Sequence, residues 1–252
     1  MNKILIVANW KMNPADSKEA RRIFDSVVKE IRGVKNSETV FCPPFVYLSS
    51  LNIDISKYRY IKLGAQDCFW EASGAYTGEV SPLMLKNSGC RYVICGHSER
   101  RENLGETDEM VNKKIRASLK AGLTPILCVG ERSREIPDYE KFIQEEVKSG
   151  LFNVSRGLIF NIIVAYEPIW AIGSGRPATP DDALFVGLLI RKILTGLYGR
   201  ALAEKVRLIY GGSVTSQNAK SYTTEAGLGG LLVGGASLNA SEFIKIIKSF
   251  EV

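Results

Sequence analysis

The chain has one histidine, and its five cysteines, at positions 42, 68, 90, 95 and 128, contain no CxxC spacing. No zinc site of clustered histidine and cysteine is therefore expected, and an odd cysteine count does not read as a disulfide framework. Cys95 and Cys128 lie in apolar runs and read as small buried residues in a reducing compartment. Long hydrophobic runs are also missing. The opening Met1–Asn9 is apolar for about one strand length, unlike a signal peptide, and nothing approaches the roughly 18 apolar residues of a membrane span. A soluble, cytoplasmic protein is the expectation. No Pro-, Ser- or Gly-rich linker, low-complexity tract or break in composition divides the chain, so residues 1–252 are expected to form one domain.

At 252 residues and 45% hydrophobic, the chain can bury a sizeable core. Its formal net charge is +6, but the basic residues are scattered, with only pairs such as Arg21-Arg22 and Arg100-Arg101. That pattern suits attraction of a small anionic substrate, and no nucleic-acid partner is expected.

What is present is repetition. Short apolar runs recur at Lys3–Asn9, Thr39–Cys42, Tyr60–Gly64, Arg91–Gly96, Thr124–Gly130, Ile159–Glu167, Val206–Gly211 and Gly230–Gly234. Several lack the polar alternation of a half-exposed sheet, as parallel strands covered on both faces do. Between them lie helical patterns. Ala15–Arg32 carries Ala20, Ile23, Phe24, Val27, Val28 and Ile31 at three- and four-residue steps, and Asp108–Lys120 repeats this with Val111, Ile115 and Leu119. Pro180-Asp181-Asp182 opens a helix through Leu194, with acids where the helix dipole favours them. Eight strand–helix units in a length near the ~250 residues of an eight-fold α/β barrel predict a closed parallel (β/α)8 barrel. The absence of GxGxxG after the first strand argues against a dinucleotide-binding fold.

In such a barrel, function sits in the loops at the C-terminal strand ends. Those ends hold Lys11 after strand one, His97 after strand four and Glu167 after strand six. Gly211-Gly212-Ser213 and Gly234-Gly235 follow strands seven and eight. Taken singly, Lys11 reads as a solvated lysine, His97 as structural, Glu167 as an ion-pair partner or cap, and each glycine pair as a turn. A Ser-His-Asp triad is discounted, because Ser98 adjoins His97 and no GxSxG elbow exists. Taken together, a Lys, a His, a Glu and a glycine-built phosphate site suit proton transfer beside a carbonyl in a small phosphorylated compound. No metal or other cofactor is needed for it.

Six blocks carry a resemblance to the triosephosphate isomerase family over essentially the whole chain. They are Asn9-Trp10-Lys11-Met12-Asn13; Gly64-Ala65-Gln66 with Gly74-Ala75-Tyr76-Thr77-Gly78-Glu79; and Gly96-His97-Ser98-Glu99-Arg100-Arg101. The others are Ala165–Gly173, Tyr210-Gly211-Gly212-Ser213-Val214 and Leu232–Leu238. The resemblance implies a TIM barrel that interconverts dihydroxyacetone phosphate and glyceraldehyde 3-phosphate through an enediolate, in glycolysis and gluconeogenesis. It implies Glu167 as base and His97 as a neutral imidazole bonding the substrate oxygens, roles already established for the family. Lys11 would offset phosphate and enediolate charge, with Asn9 beside it. Glu99 would orient the group from behind or serve as a buried partner of Lys11. Gly173, Ser213, Gly234 and Gly235 would hold the phosphate through backbone N–H groups.

The same resemblance makes the residues after Glu167 a lid. Pro168 and Trp170 form one hinge, Ile172 and Gly173 the tip, and Arg176, Pro177 and Ala178 the second hinge, with Ser174 also in the lid. Tyr210 and Ser213 would bond the closed lid, Ser98 would hold Glu167 in the open state, and Ile172 and Leu232 would crowd its carboxylate. The 66–82 loop, with Phe69, Trp70 and Tyr76, would dock into a second subunit and bring Thr77 near its active site, giving a homodimer. Three departures stand out. Pro177 is unusual at the hinge, Ser174 replaces the usual Thr, and Gly227 and Gly229 stand where acids are common, removing a possible ion-pair partner of Arg191. Two rivals remain open: a Schiff-base aldolase using Lys11, and a barrel kept as a binding protein.

Overall fold

The computed structural model describes residues 3–55, 58–135, 138–172 and 176–251. Eight parallel strands close on themselves in sequence order. They are β1 (Ile4–Asn9), β2 (Ser37–Cys42), β3 (Ile61–Ala65), β4 (Cys90–Cys95), β5 (Thr124–Val129), β6 (Ile163–Tyr166), β7 (Arg207–Tyr210) and β8 (Gly230–Val233). The predicted barrel is the observed one, with strand ends within a residue or two for most strands. The clearest difference is at β6. Ile159–Asn161 forms a single 3-10 turn before the strand, burying Ile159 while leaving Phe160 half exposed.

Each strand has two buried faces, and successive side chains serve different cores. Leu5 and Val7 of β1 point into the barrel beside Val40, Ile94, Ile126, Ile163, Ile209 and Leu232. Ile6 and Ala8 point outward, into the layer between sheet and helices. This double covering is why the strands read as unbroken apolar runs. Closure between β1 and β8 demands a glycine, because a Cβ on Gly230 would lie 2.1 Å from the Leu5 carbonyl oxygen.

The outer layer follows from helix chemistry. The helix Ser17–Ile31 is started by Asp16, whose carboxylate accepts the N–H groups of Lys18 and Glu19. It buries the six apolar residues that its period predicted. Thr107 caps the helix Asp108–Lys120 in the same way. Pro180–Tyr198 begins with a capping box between Thr179 and Asp182 and runs four residues past the expected Leu194, since Gly199 at φ 82° is the first break. Within it, Arg191 donates to the carbonyls of Ala203 and, at 2.8 Å, Val206. Main-chain oxygens thus occupy the Arg191 guanidinium, and Gly227 takes a left-handed φ of 66°.

All five cysteines are free and buried. Among the described residues, no helix is long and apolar enough to cross a membrane. In the 66–82 loop, the Phe69 ring stacks on Trp70 at 4.1 Å and meets Tyr76 at 4.6 Å. The three aromatics therefore cover one another, with Tyr76 still 46% exposed.

Candidate active site

The C-terminal strand ends surround a cleft of about 800 Å³ whose lining includes Asn9, Lys11, His97, Ser213, Gly234 and Gly235. Asn9 is the last residue of β1, and its side-chain oxygen accepts the Lys11 N–H at 3.0 Å. That turn puts Lys11 at φ 53°, an unfavourable left-handed backbone for a residue with a Cβ. Gln66, just after β3, clamps the turn by donating to the carbonyls of Lys11 and Cys42, both at 2.8 Å. The Lys11 ammonium pairs with the Glu99 carboxylate. Glu99 is 43% exposed, so it is not the buried partner that one reading allowed. The lysine stem also runs past the start of the β8 loop, since a Cβ on Gly234 would sit 3.2 Å from its Cε.

His97 ends the β4 segment and caps the short helix Ser98–Leu104 with its ring. Nδ1 accepts the Glu99 N–H at 3.2 Å, which leaves the ring proton on Nε2. Nε2 faces Glu167 Oε1 at 3.4 Å. A structural use and a position in the cleft therefore coexist in the one histidine.

Glu167 follows β6 and is only 2% exposed. Its N–H donates to the Val129 carbonyl at 2.8 Å, and its Oε2 accepts the Ser98 N–H at 3.1 Å. Oε1 has no hydrogen-bond partner among the described residues. The carboxylate is withdrawn behind the β7 loop, against Gly211, where a Cβ would come within 2.9 Å of the Glu167 Cγ. A Cβ on Gly212 would collide with the Tyr210 hydroxyl at 2.2 Å. This glycine pair is thus fixed by close approach of Glu167 and Tyr210, a cause separate from anion binding. Burial pushes the nearby Cys128 thiol well above its ordinary range, with the Glu167 carboxylate adding to the effect, so Cys128 stays a neutral thiol.

Both segments that the resemblance reads as lid hinges are anchored. On the first, Pro168 is buried and Trp170 half buried. Trp170 donates its indole N–H to Glu131 Oε1 at 2.9 Å, as does the Tyr166 hydroxyl at 2.8 Å. Arg134 ties Glu131 to Asp182. The Ser213 hydroxyl donates to the Ala171 carbonyl at 2.8 Å. On the second hinge, exposed Arg176 and Pro177 precede buried Ala178. Tyr210 accepts the Ala178 N–H at 3.1 Å, and Tyr222 donates to its carbonyl at 2.7 Å. Ile172 and Pro177 border the cleft, as does Leu232. Gly173 and Ser174 lie outside the described residues. Thr77 sits on the exposed loop, outside the cleft lining.

Gln66 and Glu131 were given no role from the sequence, although Gln66 directly follows β3 and Glu131 lies two residues past β5, where the strand-end rule applies. Among the described residues, no three His, Cys, Asp or Glu side chains gather as metal ligands would.

Comparison with known proteins bears on this geometry. A family model described as triosephosphate isomerase matches residues 4–250. A triosephosphate isomerase of Thermoanaerobacter sp. (strain X514) is 47% identical over 249 residues, covering 98% of this chain and 99% of that relative. One from Dictyoglomus thermophilum is 44% identical over 253 residues, covering 99% and 100%. The crystal structure of triosephosphate isomerase from Bartonella henselae superposes with a TM-score of 0.87 at 33% identity, covering 99% of this chain and all of that one.

Proposed function

The chain belongs to the triosephosphate isomerase family, and from that premise we propose how its own residues divide the work. Glu167 takes a proton from the hydroxyl-bearing carbon 1 of dihydroxyacetone phosphate and returns it to carbon 2, while the hydroxyl proton passes from the oxygen on carbon 1 to the oxygen on carbon 2, forming glyceraldehyde 3-phosphate. Between the two steps, negative charge rests on the enediolate oxygens. The Nε2–H of His97 bonds them, and the Lys11 ammonium offsets their charge and that of the phosphate. A glutamate base beside a neutral histidine is the established arrangement of this family rather than a novelty of this chain. Backbone N–H groups of Ser213, Gly234, Gly235 and Gly173 grip the phosphate.

The observation that supports this reading is that Lys11 and His97 line one cleft and Glu167, buried and outside its lining, lies directly behind His97. Nε2 of His97 stands 3.4 Å from the Glu167 carboxylate. In the described arrangement Ser98 N–H holds the carboxylate back. Closure of the 168–178 lid carries it forward to the substrate and removes water from the enediolate, with Asn9 and Glu99 keeping Lys11 in place.

Residues 1–252 act as one catalytic domain in the cytoplasm, drawing a small anion with their +6 charge and needing no cofactor, nucleic acid or membrane. The working unit is a homodimer. Its support is the exposed apolar side chains at the rim, Met12 at 95% and Tyr76 at 46% among them, with Thr77 beside the latter.

The rival Schiff-base chemistry needs a neutral, desolvated lysine, whereas Lys11 is an ion-paired ammonium. Incubation with dihydroxyacetone phosphate and borohydride tests the choice. Isomerisation with no adduct on Lys11 is expected; a reduced adduct on Lys11 would overturn the proton-transfer reading.

A further inference from the structure

The helix Tyr139–Gly150 hides a carboxylate that the proposed reaction does not use. Glu146 is 3% exposed, and its Oε2 accepts the Gly130 N–H at 2.8 Å. Gly130 lies flat against the catalytic glutamate's backbone, because a Cβ there would stand 1.8 Å from the Glu167 carbonyl oxygen. On the other side, Glu146 Oε1 is 3.6 Å from the guanidinium Nε of Arg101. The same Nε donates to the carbonyl of Gly96, the residue before His97, at 2.8 Å. Asp108 holds the far end of Arg101 through Nη1 at 2.6 Å.

Two strand ends are thus joined by one largely buried ion pair, one carrying His97 and the other supporting Glu167. We propose that Arg101 and Glu146 are positioning residues for the proton transfer, setting the spacing between His97 and Glu167 from beneath without touching substrate. The inference rests on the isomerase reading of the site. It follows from how the two groups are held: His97 Nε2 and Glu167 Oε1 share no hydrogen bond of their own. Beside the Ser98 N–H that Glu167 Oε2 accepts at 3.1 Å, the backbone segments below them set their separation. Buried pairs of this kind add little net stability over apolar replacements, so a role in geometry gives a reason for keeping one here.

The test uses Glu146→Gln, which keeps an acceptor for Gly130 but removes the charge. Arg101→Lys is the second variant, keeping the charge but losing the fork that reaches Gly96, Glu146 and Asp108 together. Each is assayed where it is fully folded, beside the wild type. Reduced kcat by roughly ten- to hundredfold with KM within about twofold is expected, because a small misplacement costs turnover while the phosphate grip is untouched. Glu146→Asp should recover part of the loss. The single histidine supplies a second readout: protein labelled with 15N-histidine gives one imidazole, whose resonances should move in both variants. Wild-type kcat in both variants, or lost kcat with unmoved His97 resonances, would overturn the proposal. An inactive wild type would instead strike the isomerase reading beneath it.

Discussion

In the proposed reaction a single carboxylate carries the chemistry, and its surroundings suit that use. Glu167 is buried, anchored through its own N–H, and left with one oxygen that, among the described residues, accepts no hydrogen bond and faces His97. Replacing that group by an amide keeps shape and removes the base. Glu167→Gln should therefore lower kcat by roughly 10²–10⁴-fold or more while the thermal midpoint stays close to wild type, as checked by steady-state assay and calorimetry. Near-native turnover would remove Glu167 from the role. Lys11, His97 and Glu167 were legible in the sequence because each lies within two residues after an apolar strand. Arg101 and Glu146 were not, because both sit on helices, where an inward charge looks like any charge on a solvated face. Only the fold reveals that Glu146 turns toward Gly130.

At the scale of elements, the strands were readable for a physical reason: burial on both faces makes them apolar throughout. The same property blurred their ends, since the apolar Ile159 of the preceding turn packs into the core as a strand residue would. Helix starts were fixed by capping chemistry, most consequentially at Thr179. This cap directly follows the second hinge, and its partner Asp182 is also bound by Arg134 from the first hinge side. Thr179→Ala should cost about 1 kcal/mol, lowering the midpoint by roughly 2–4 °C in a chain of this size. It should also raise KM for the phosphorylated substrate by freeing Ala178 from Tyr210. Pro177 fixes one backbone angle in the exposed part of that hinge and restricts Arg176 before it. Pro177→Val is expected to change the exchange rate of the lid in relaxation-dispersion NMR; an unchanged rate would show that proline does not set the motion.

For the whole molecule, buried acids give stability a sign with pH. Burial pushes Glu146 up to about 7 from an ordinary 4.5, with Asp108 and Glu167 adding to the shift and Arg101 and the Gly130 N–H opposing it. Burial likewise pushes Asp67 up to about 6, against the pull of Lys114. A raised acid holds more protons folded than unfolded, so its contribution to stability falls as pH rises between its two values. The midpoint of Glu146→Gln should gain on that of the wild type from about pH 4.5 to 7; a gap that narrows or stays constant would contradict this. The exposed rim side chains predict association at the same scale. Sedimentation should find a dimer, and a fully active monomer at nanomolar concentration would rule that out.

All three scales meet in one proposed event, the movement of a proton between adjacent carbons by Glu167. Incubation with dihydroxyacetone phosphate in heavy water, followed by NMR of the product, reads that event directly. Glyceraldehyde 3-phosphate carrying solvent deuterium at carbon 2 is the predicted result, and loss of both product and label is predicted in Glu167→Gln. Isomerisation that proceeds undiminished in Glu167→Gln, with deuterium still entering carbon 2, would contradict the account.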